Sequence, residues 1–109
     1  MPYNTEMLTV VETPIFTKLS ADYWEEGERL EFVSALAADP LAGAVVPGTG
    51  GVRKIRWTRP GSGKRGGVRV IYYNRTERGE IWLLLIYAKS AKENIPNHVL
   101  KSIREEIEK

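Results

Sequence analysis

The sequence predicts an α+β domain in which helices pack against one face of a small sheet. Three observations carry this. Apolar residues recur at helical spacing in Tyr23–Ala38 and again after Pro96, whereas Val52–Thr58, Val68–Asn74 and Ile81–Ala88 are short runs rich in β-branched and aromatic residues. The element order is β, α, β, β, β, α, with three successive strands between the helices, as α+β domains have. At 109 residues the chain suits one domain with a modest core, preceded by a loose lead-in over residues 1–6.

Met7–Glu12 (MLTVVE) has the β-branched content of a first strand. Pro14 ends it and leaves Ile15–Leu19 as a short helical turn. Asp22 and Glu25 form a D-x-x-E pattern suited to capping a helix from Tyr23 to about Ala38. Trp24, Leu30, Val33 and Ala37, helped by Phe32 and Leu36, give that helix its apolar stripe. Glu25, Glu26 and Glu28 suit the positive end of its dipole, and Asp39-Pro40 stops it. Leu41–Gly51 is a turn-rich connection. Ile81–Ala88 (IWLLLIYA) is apolar on both alternating faces and is expected as the central buried strand. Pro96 opens a last helix, with Val99, Leu100, Ile103 and Ile107 along one side.

Between these elements, Gly50–Asn74 carries Arg53, Lys54, Arg56, Arg59, Lys64, Arg65 and Arg69 and no Asp or Glu. Its two strands flank a loop rich in Gly and Lys/Arg, the pattern of a β-hairpin. Period two sorts the side chains: Arg53, Ile55 and Trp57 oppose Lys54, Arg56 and Thr58, while Val68, Val70 and Tyr72 oppose Arg69, Ile71 and Tyr73. The apolar set should meet the helices. Lys54, Arg56, Arg69 and Tyr73 would then share an open face, with Lys64 and Arg65 on the loop beside it. So many like charges repel one another in the folded state, and the simplest reason to keep them is an external polyanion. The whole chain is polarised in the same sense: residues 1–50 carry a net charge of −6 and residues 51–109 carry +8. A solvated charged strand face would explain the charge alone, but not the Gly-rich flanks or the interleaved tyrosine.

Composition removes several function classes. Without cysteine there is no disulfide framework and no thiolate metal site. The one histidine, His98, cannot by itself make a metal site or a two-histidine nuclease. Ile81–Ala88, the longest apolar run, is too short to span a bilayer, and the N-terminus lacks the pattern of a signal peptide. A cytoplasmic protein without membrane contact is expected. The Gly-Lys of GSGKRGG fails the phosphate-binding loop pattern: Thr58 stands for its first glycine, Arg65 for its Ser/Thr, and no helix follows. Gly48–Gly51 precedes a strand rather than a helix N-terminus. Trp24, Trp57 and Trp82 are most economically core residues.

The segments GTGGVRKIRW, GKRGGVRVIYYN and WLLLIYAKSAKEN together resemble the RelE/HigB family of toxins from type II toxin–antitoxin systems, from about Met7 to the C-terminus. The resemblance implies a small, mainly antiparallel four-stranded sheet with N-terminal helices on one face and a C-terminal helix. It also implies a ribosome-dependent mRNA endoribonuclease that works without metal or other cofactor, held inactive by a cognate antitoxin, often of helix-turn-helix type. The family's basic positions fall on Lys54, Arg56, Arg69 and Lys89. Ser90 stands where RelE has an arginine, and Pro96 falls near the place of its C-terminal tyrosine, leaving Tyr73 or Tyr87 as substitutes.

The implied chemistry is attack of a ribose 2′-OH on the adjacent phosphate. Arginine neutralises the crowded phosphate well but stays protonated. An ordinary lysine is neutral in roughly one molecule in 2,500 at neutral pH, and positive neighbours raise that share. Arg56 and Arg69 are therefore the expected transition-state cations, and Lys54 the proton acceptor or a further electrostatic group. Arg53, Lys64, Arg65, Lys89 and Lys92 are expected to bind nucleic acid. Two rivals remain: a basic module that binds nucleic acid without cutting it, and the ParE branch of the same superfamily, whose members poison DNA gyrase.

Overall fold

Alternation along the strands gives the sheet two apolar faces, and each attracts its own helical cover. The structure, a computed structural model, describes residues 8–58, 67–88 and 95–109. Among them β1 (Thr9–Glu12), β2 (Ala44–Val45), β3 (Arg53–Trp57), β4 (Val68–Arg75) and β5 (Glu80–Ala88) form one sheet in the order β1-β5-β4-β3-β2. Neighbours are antiparallel except β1 and β5, which run parallel. The α+β class stands, with five strands rather than four. The extra strand, β2, is two residues long and too short to show a period within Leu41–Gly51. Ile81–Ala88 is an interior strand, paired on both edges by β1 and β4, but the centre of the sheet is β4, because β2 adds beyond β3 on the other side.

Thr13 starts α1 (Pro14–Ser20) by accepting from Phe16 N at 3.1 Å, while its own hydroxyl donates to Leu84 O at 3.0 Å. One side chain thereby caps a helix and ties it to β5. The next helix, α2, spans Glu26–Ala38 and starts later than expected. The amides of Asp22, Tyr23 and Trp24 bond back to Leu19 and Ser20, prolonging the end of α1, and the N-cap position of α2 falls on Glu25 rather than Asp22. That turn drops Trp24 between Phe16 and Phe32, with ring centroids 6.4 and 5.2 Å away. Leu30, expected in the stripe, is 51% exposed; Phe32 and Leu36 carry the burial.

The first core joins Phe16, Trp24, Phe32 and Leu36 to Val70, Tyr72, Ile81, Leu83 and Ile86, with Ile55, Trp57 and Val68 at its margin. These are the residues that alternation assigned to the helix side. Tyr72 is its polar anchor: the hydroxyl accepts from Gly43 N at 2.9 Å and donates to Pro40 O at 2.7 Å. Gly43 is required by close approach. A Cβ there would lie 2.8 Å from Tyr72 Oη and 2.9 Å from Lys54 O.

The second face is not open along its whole length. There α3 (Asn97–Ile107) lays Leu100, Ile103 and Ile107 over Ile71, Tyr73 and Leu84, while Val99 stays exposed. The expectation that Tyr73 shares a face open to ligand is corrected: it is 8% exposed. Its hydroxyl donates a short hydrogen bond to Glu108 Oε2, and the Arg104 guanidinium carbon sits 6.0 Å from its ring centroid. Arg75 Nε lies 3.6 Å from the other Glu108 oxygen. Burial, reinforced by the Glu108 hydrogen bond, pushes the Tyr73 phenol up, which suits an anchor and not a proton acceptor. No helix among the described residues is long and apolar enough to cross a membrane.

Two outcomes follow from these anchors. Gly43→Ala should destabilise the fold by about 1–3 kcal/mol through overpacking, read as a lower denaturant midpoint at constant slope. Burial raises the phenols of both Tyr72 and Tyr73. The folded chain therefore keeps these protons to higher pH than the unfolded chain. Their contribution is complete below about pH 10 and is lost as pH rises through the raised values. Denaturant midpoints should fall between about pH 9 and about pH 11, and less steeply in Tyr73→Phe.

Candidate nucleic-acid interface

Register alone assembles the basic site. Arg56 pairs directly with Arg69 across β3 and β4, Lys54 pairs with Ile71 two positions along, and Ala44 of β2 pairs with Lys54 on the other side. Lys54, Arg56 and Arg69 line one groove of about 420 Å³, walled by Ala44, Val45, Val46 and Pro47. Two guanidiniums directly opposite each other on a strand pair cost stability, and an anion held between them offsets that cost. Lys54 and Arg56 are exposed, and neither makes an ion pair among the described residues; Arg69 is half-buried and has a partner of its own.

The wall is held by a turn that the glycine pattern only hinted at. Thr49, fully buried, donates to Val46 O at 2.7 Å and accepts from Val52 N at 3.0 Å. Gly50, with φ +81°, packs against α3 so closely that a Cβ would lie 2.5 Å from Arg104 Nε. The GTGG motif thus shapes the rim of the groove and seats it on the C-terminal helix.

Beyond the groove, β4 and β5 pair Arg69 with Tyr87 and Ile71 with Leu85, then Tyr72 with Leu83, so Leu84 is the extra residue of a β-bulge. Strict alternation from Ile81 would send Tyr87 toward α1 and α2. The bulge lets Leu84 and Leu85 both face α3 and moves Tyr87 to the basic side. There Lys54 and Tyr87 share a smaller cavity of about 90 Å³ with Val46, Ile71, Ile95, Asn97 and Leu100.

The sequence-predicted site residues therefore separate into three groups. Lys54, Arg56 and Arg69 come together; Tyr73 lies apart under α3. Arg53 is also corrected: it faces the α1–α2 side beside Tyr72, and its Nη1 donates to Gly43 O at 2.6 Å and Leu41 O at 3.2 Å. That arginine supports the β2 wall instead of reaching toward a ligand. Lys64, Arg65, Lys89 and Lys92 lie outside the described residues. Sequence reasoning missed the Ala44–Pro47 wall and Asn97, whose only signal was nearness to Pro96. His98 is exposed on α3, and among the described residues no group of three or more His, Asp or Glu side chains is arranged to hold a metal ion.

The opposite pole is acidic, with Glu12, Glu25 and Glu26 around a cleft between β1, α1 and α2. Arg29 spans it, with Nη1 2.6 Å from Glu12 and Nη2 3.1 Å from Glu26.

Comparison with known proteins bears on the same elements. The family model for the RelE toxin of the RelE/RelB toxin–antitoxin system matches residues 40–108, the stretch that holds β2 to β5 and α3. In architecture the chain is similar to a mutant of the E. coli toxin RelE in its free state. The two share 13% sequence identity at a TM-score of 0.62, over 89% of this chain and 96% of that one. With the groove and its walls inside the matched region, the chain belongs to the RelE toxin family of toxin–antitoxin systems.

Proposed function

We propose that this protein is the toxin of a type II toxin–antitoxin system and a ribosome-dependent endoribonuclease of the RelE/HigB kind that cuts mRNA and so inhibits translation. The observation that carries the reading is the direct opposition of Arg56 and Arg69 with Lys54 beside them in one groove. Such a trio matches a phosphodiester whose charge grows during reaction. The ribose 2′ oxygen attacks the adjacent phosphorus, the P–O5′ bond breaks, and the products are a 2′,3′-cyclic phosphate and a free 5′-OH. Because the nucleophile belongs to the substrate, the step needs no metal. Arg56 and Arg69 bind the non-bridging oxygens and hold the extra charge of the five-coordinate transition state. Lys54 takes the 2′ proton, and solvent or a ribosomal group returns one to the leaving 5′ oxygen. Lys64, Arg65, Lys89 and Lys92 are the further cations expected to bind the RNA.

The toxin acts in the cytoplasm and is silenced there by a helix-turn-helix antitoxin encoded with it. The proposal is tested by expressing the protein and sequencing transcript 5′ ends, then repeating the assay on purified translating ribosomes. Arg69→Ala, with folding checked by its denaturant midpoint, should lower cleavage about 100- to 1,000-fold. Undiminished cleavage would remove Arg69 from the mechanism. Toxicity without cleavage would favour a non-cutting binding module, or a gyrase poison if supercoiling is inhibited. Lys64→Ala should leave the cleaved bond unchanged and reduce the slope of log affinity against log salt by roughly 0.7–0.9, the signature of one lost phosphate contact.

A further inference from the structure

The sheet has two outer edges, and charge distinguishes them. The β1 edge borders the acidic cleft around Arg29, whereas the β2 edge borders the basic groove. Register fixes what β2 offers there. Val46 N donates to Val52 O at 2.8 Å, which makes these two a hydrogen-bonded pair. Bonded and non-bonded pairs alternate along antiparallel strands. Ala44 with Lys54 is therefore the next bonded pair, and Val45 with Arg53 lies between the two. The N–H and C=O of Val45 consequently point away from β3, a donor and an acceptor side by side on the outer edge. Val45 and Leu41, 48% and 65% exposed, put apolar surface beside them. The two are neighbours through Arg53, the register partner of Val45 and a donor to Leu41 O. Both ends of β2 are tied down: Tyr72 and Arg53 hold Gly43, and Asn97 Nδ2 donates to Pro47 O at 2.8 Å. An edge already fixed in extended form needs little ordering when a partner arrives.

We infer that the outer edge of β2 takes an extended acidic segment of a partner protein as a sixth strand. Main-chain bonds to Val45 supply the attachment, and side chains on the two faces supply the selectivity. The residue bonded to Val45 shares its face, where an apolar side chain meets Val45 and Leu41. Its two neighbours fall on the groove side, opposite Ala44 and Val46. Ala44 puts only a methyl group between such a neighbour and Lys54, its own register partner. A carboxylate there meets a lysine that has no ion-pair partner among the described residues. The matching segment therefore reads acidic, apolar, acidic. A second copy of this chain fits the edge poorly, because it would bring its own Lys54, Arg56 and Arg69 toward the first set. RNA suits the groove but has no peptide ladder to offer Val45. The inference requires only that the groove be cationic, and it stands apart from whether RNA is cut.

The probe is a short capped peptide that alternates glutamate and valine, with a lysine–valine peptide of the same length as control. Binding to the intact protein is measured by fluorescence polarisation, and amide hydrogen exchange is followed residue by residue by NMR. The acidic peptide should bind at least about tenfold more tightly than the basic one. At saturation it should slow exchange of the Val45 amide by about tenfold or more, because that N–H gains an acceptor. Val45→Pro removes the donor without breaking an internal bond, and proline is tolerated on an edge strand. It should weaken the acidic peptide by about tenfold or more and leave the denaturant midpoint unchanged. The exchange measurement on the unaltered protein decides the matter even if that variant folds poorly. Equal binding of the two peptides, or binding that leaves the Val45 amide unprotected, would overturn the added strand and reduce the effect to charge. Protection of Val45 that grows with protein concentration alone would give the edge to a second copy. Protection by a short oligoribonucleotide in place of the peptide would give it to RNA, and either result would overturn the inference. Uptake of the peptide through Val45 would sustain it even if no transcript is cleaved, in which case the nuclease reading alone would fall.

Discussion

β4 is paired on both edges and covered on both faces over Ile71–Tyr73, yet at Arg69 one face is left to the groove. That constraint organises the molecule. Val70 and Tyr72 must turn toward α1 and α2, so Arg69, Ile71 and Tyr73 have no choice but the other side. Once Tyr73 and Ile71 lie under α3, Arg69 is the position at which the helix no longer covers the strand. The cations are brought together by the same alternation that builds the core, and need no separate loop or cofactor to hold them.

Much of this was legible. The helix-side set Val68, Val70, Tyr72, Ile55 and Trp57 followed from period two, and so did the common face of Lys54, Arg56 and Arg69. Alternation names a face but says nothing about how far its cover extends. Tyr73 has the same parity as Arg69, and only the path of α3 distinguishes an anchor from a site residue. Arg53 was misassigned for a related reason: counting positive charge ignores parity, which sets Arg53 beside Tyr72. Tyr87 was hidden by the bulge, because one extra residue in a uniformly apolar strand leaves no trace in the pattern. The β2 edge was invisible since two residues have no period. The cap expected at Asp22 fails because the chain there closes a turn onto the end of α1, and α2 begins only at Glu26, with Glu25 in the capping position.

The electrostatic arrangement also explains why the two halves of the chain differ in sign. Facing arginines and a nearby lysine repel one another, and the energy to hold them comes from cores that do not involve them. The aromatic stack of Phe16, Trp24, Phe32 and Trp57, the last two 5.3 Å apart and edge to face, lies on the far side of the sheet. Acidic residues that would have neutralised the groove are instead gathered around Arg29, where Glu12 and Glu26 are satisfied by a cation of their own. Separating the signs to opposite faces keeps the internal carboxylates of that pole from competing with a phosphate.

The two ends of α3 then have different duties on one rigid rod. Its last turn is fixed by Glu108 to Tyr73 and Arg75, and its middle by Leu100 in the second core. Its first turn supplies Asn97 to the cavity and to Pro47 of the groove wall. A helix held at one end and in the middle has little freedom at the other, so the anchor at Tyr73 governs where Asn97 stands relative to Lys54. In that sense the tyrosine that sequence reasoning assigned to chemistry still bears on the site. It acts through the position of a helix, from beneath it, with its proton held by Glu108.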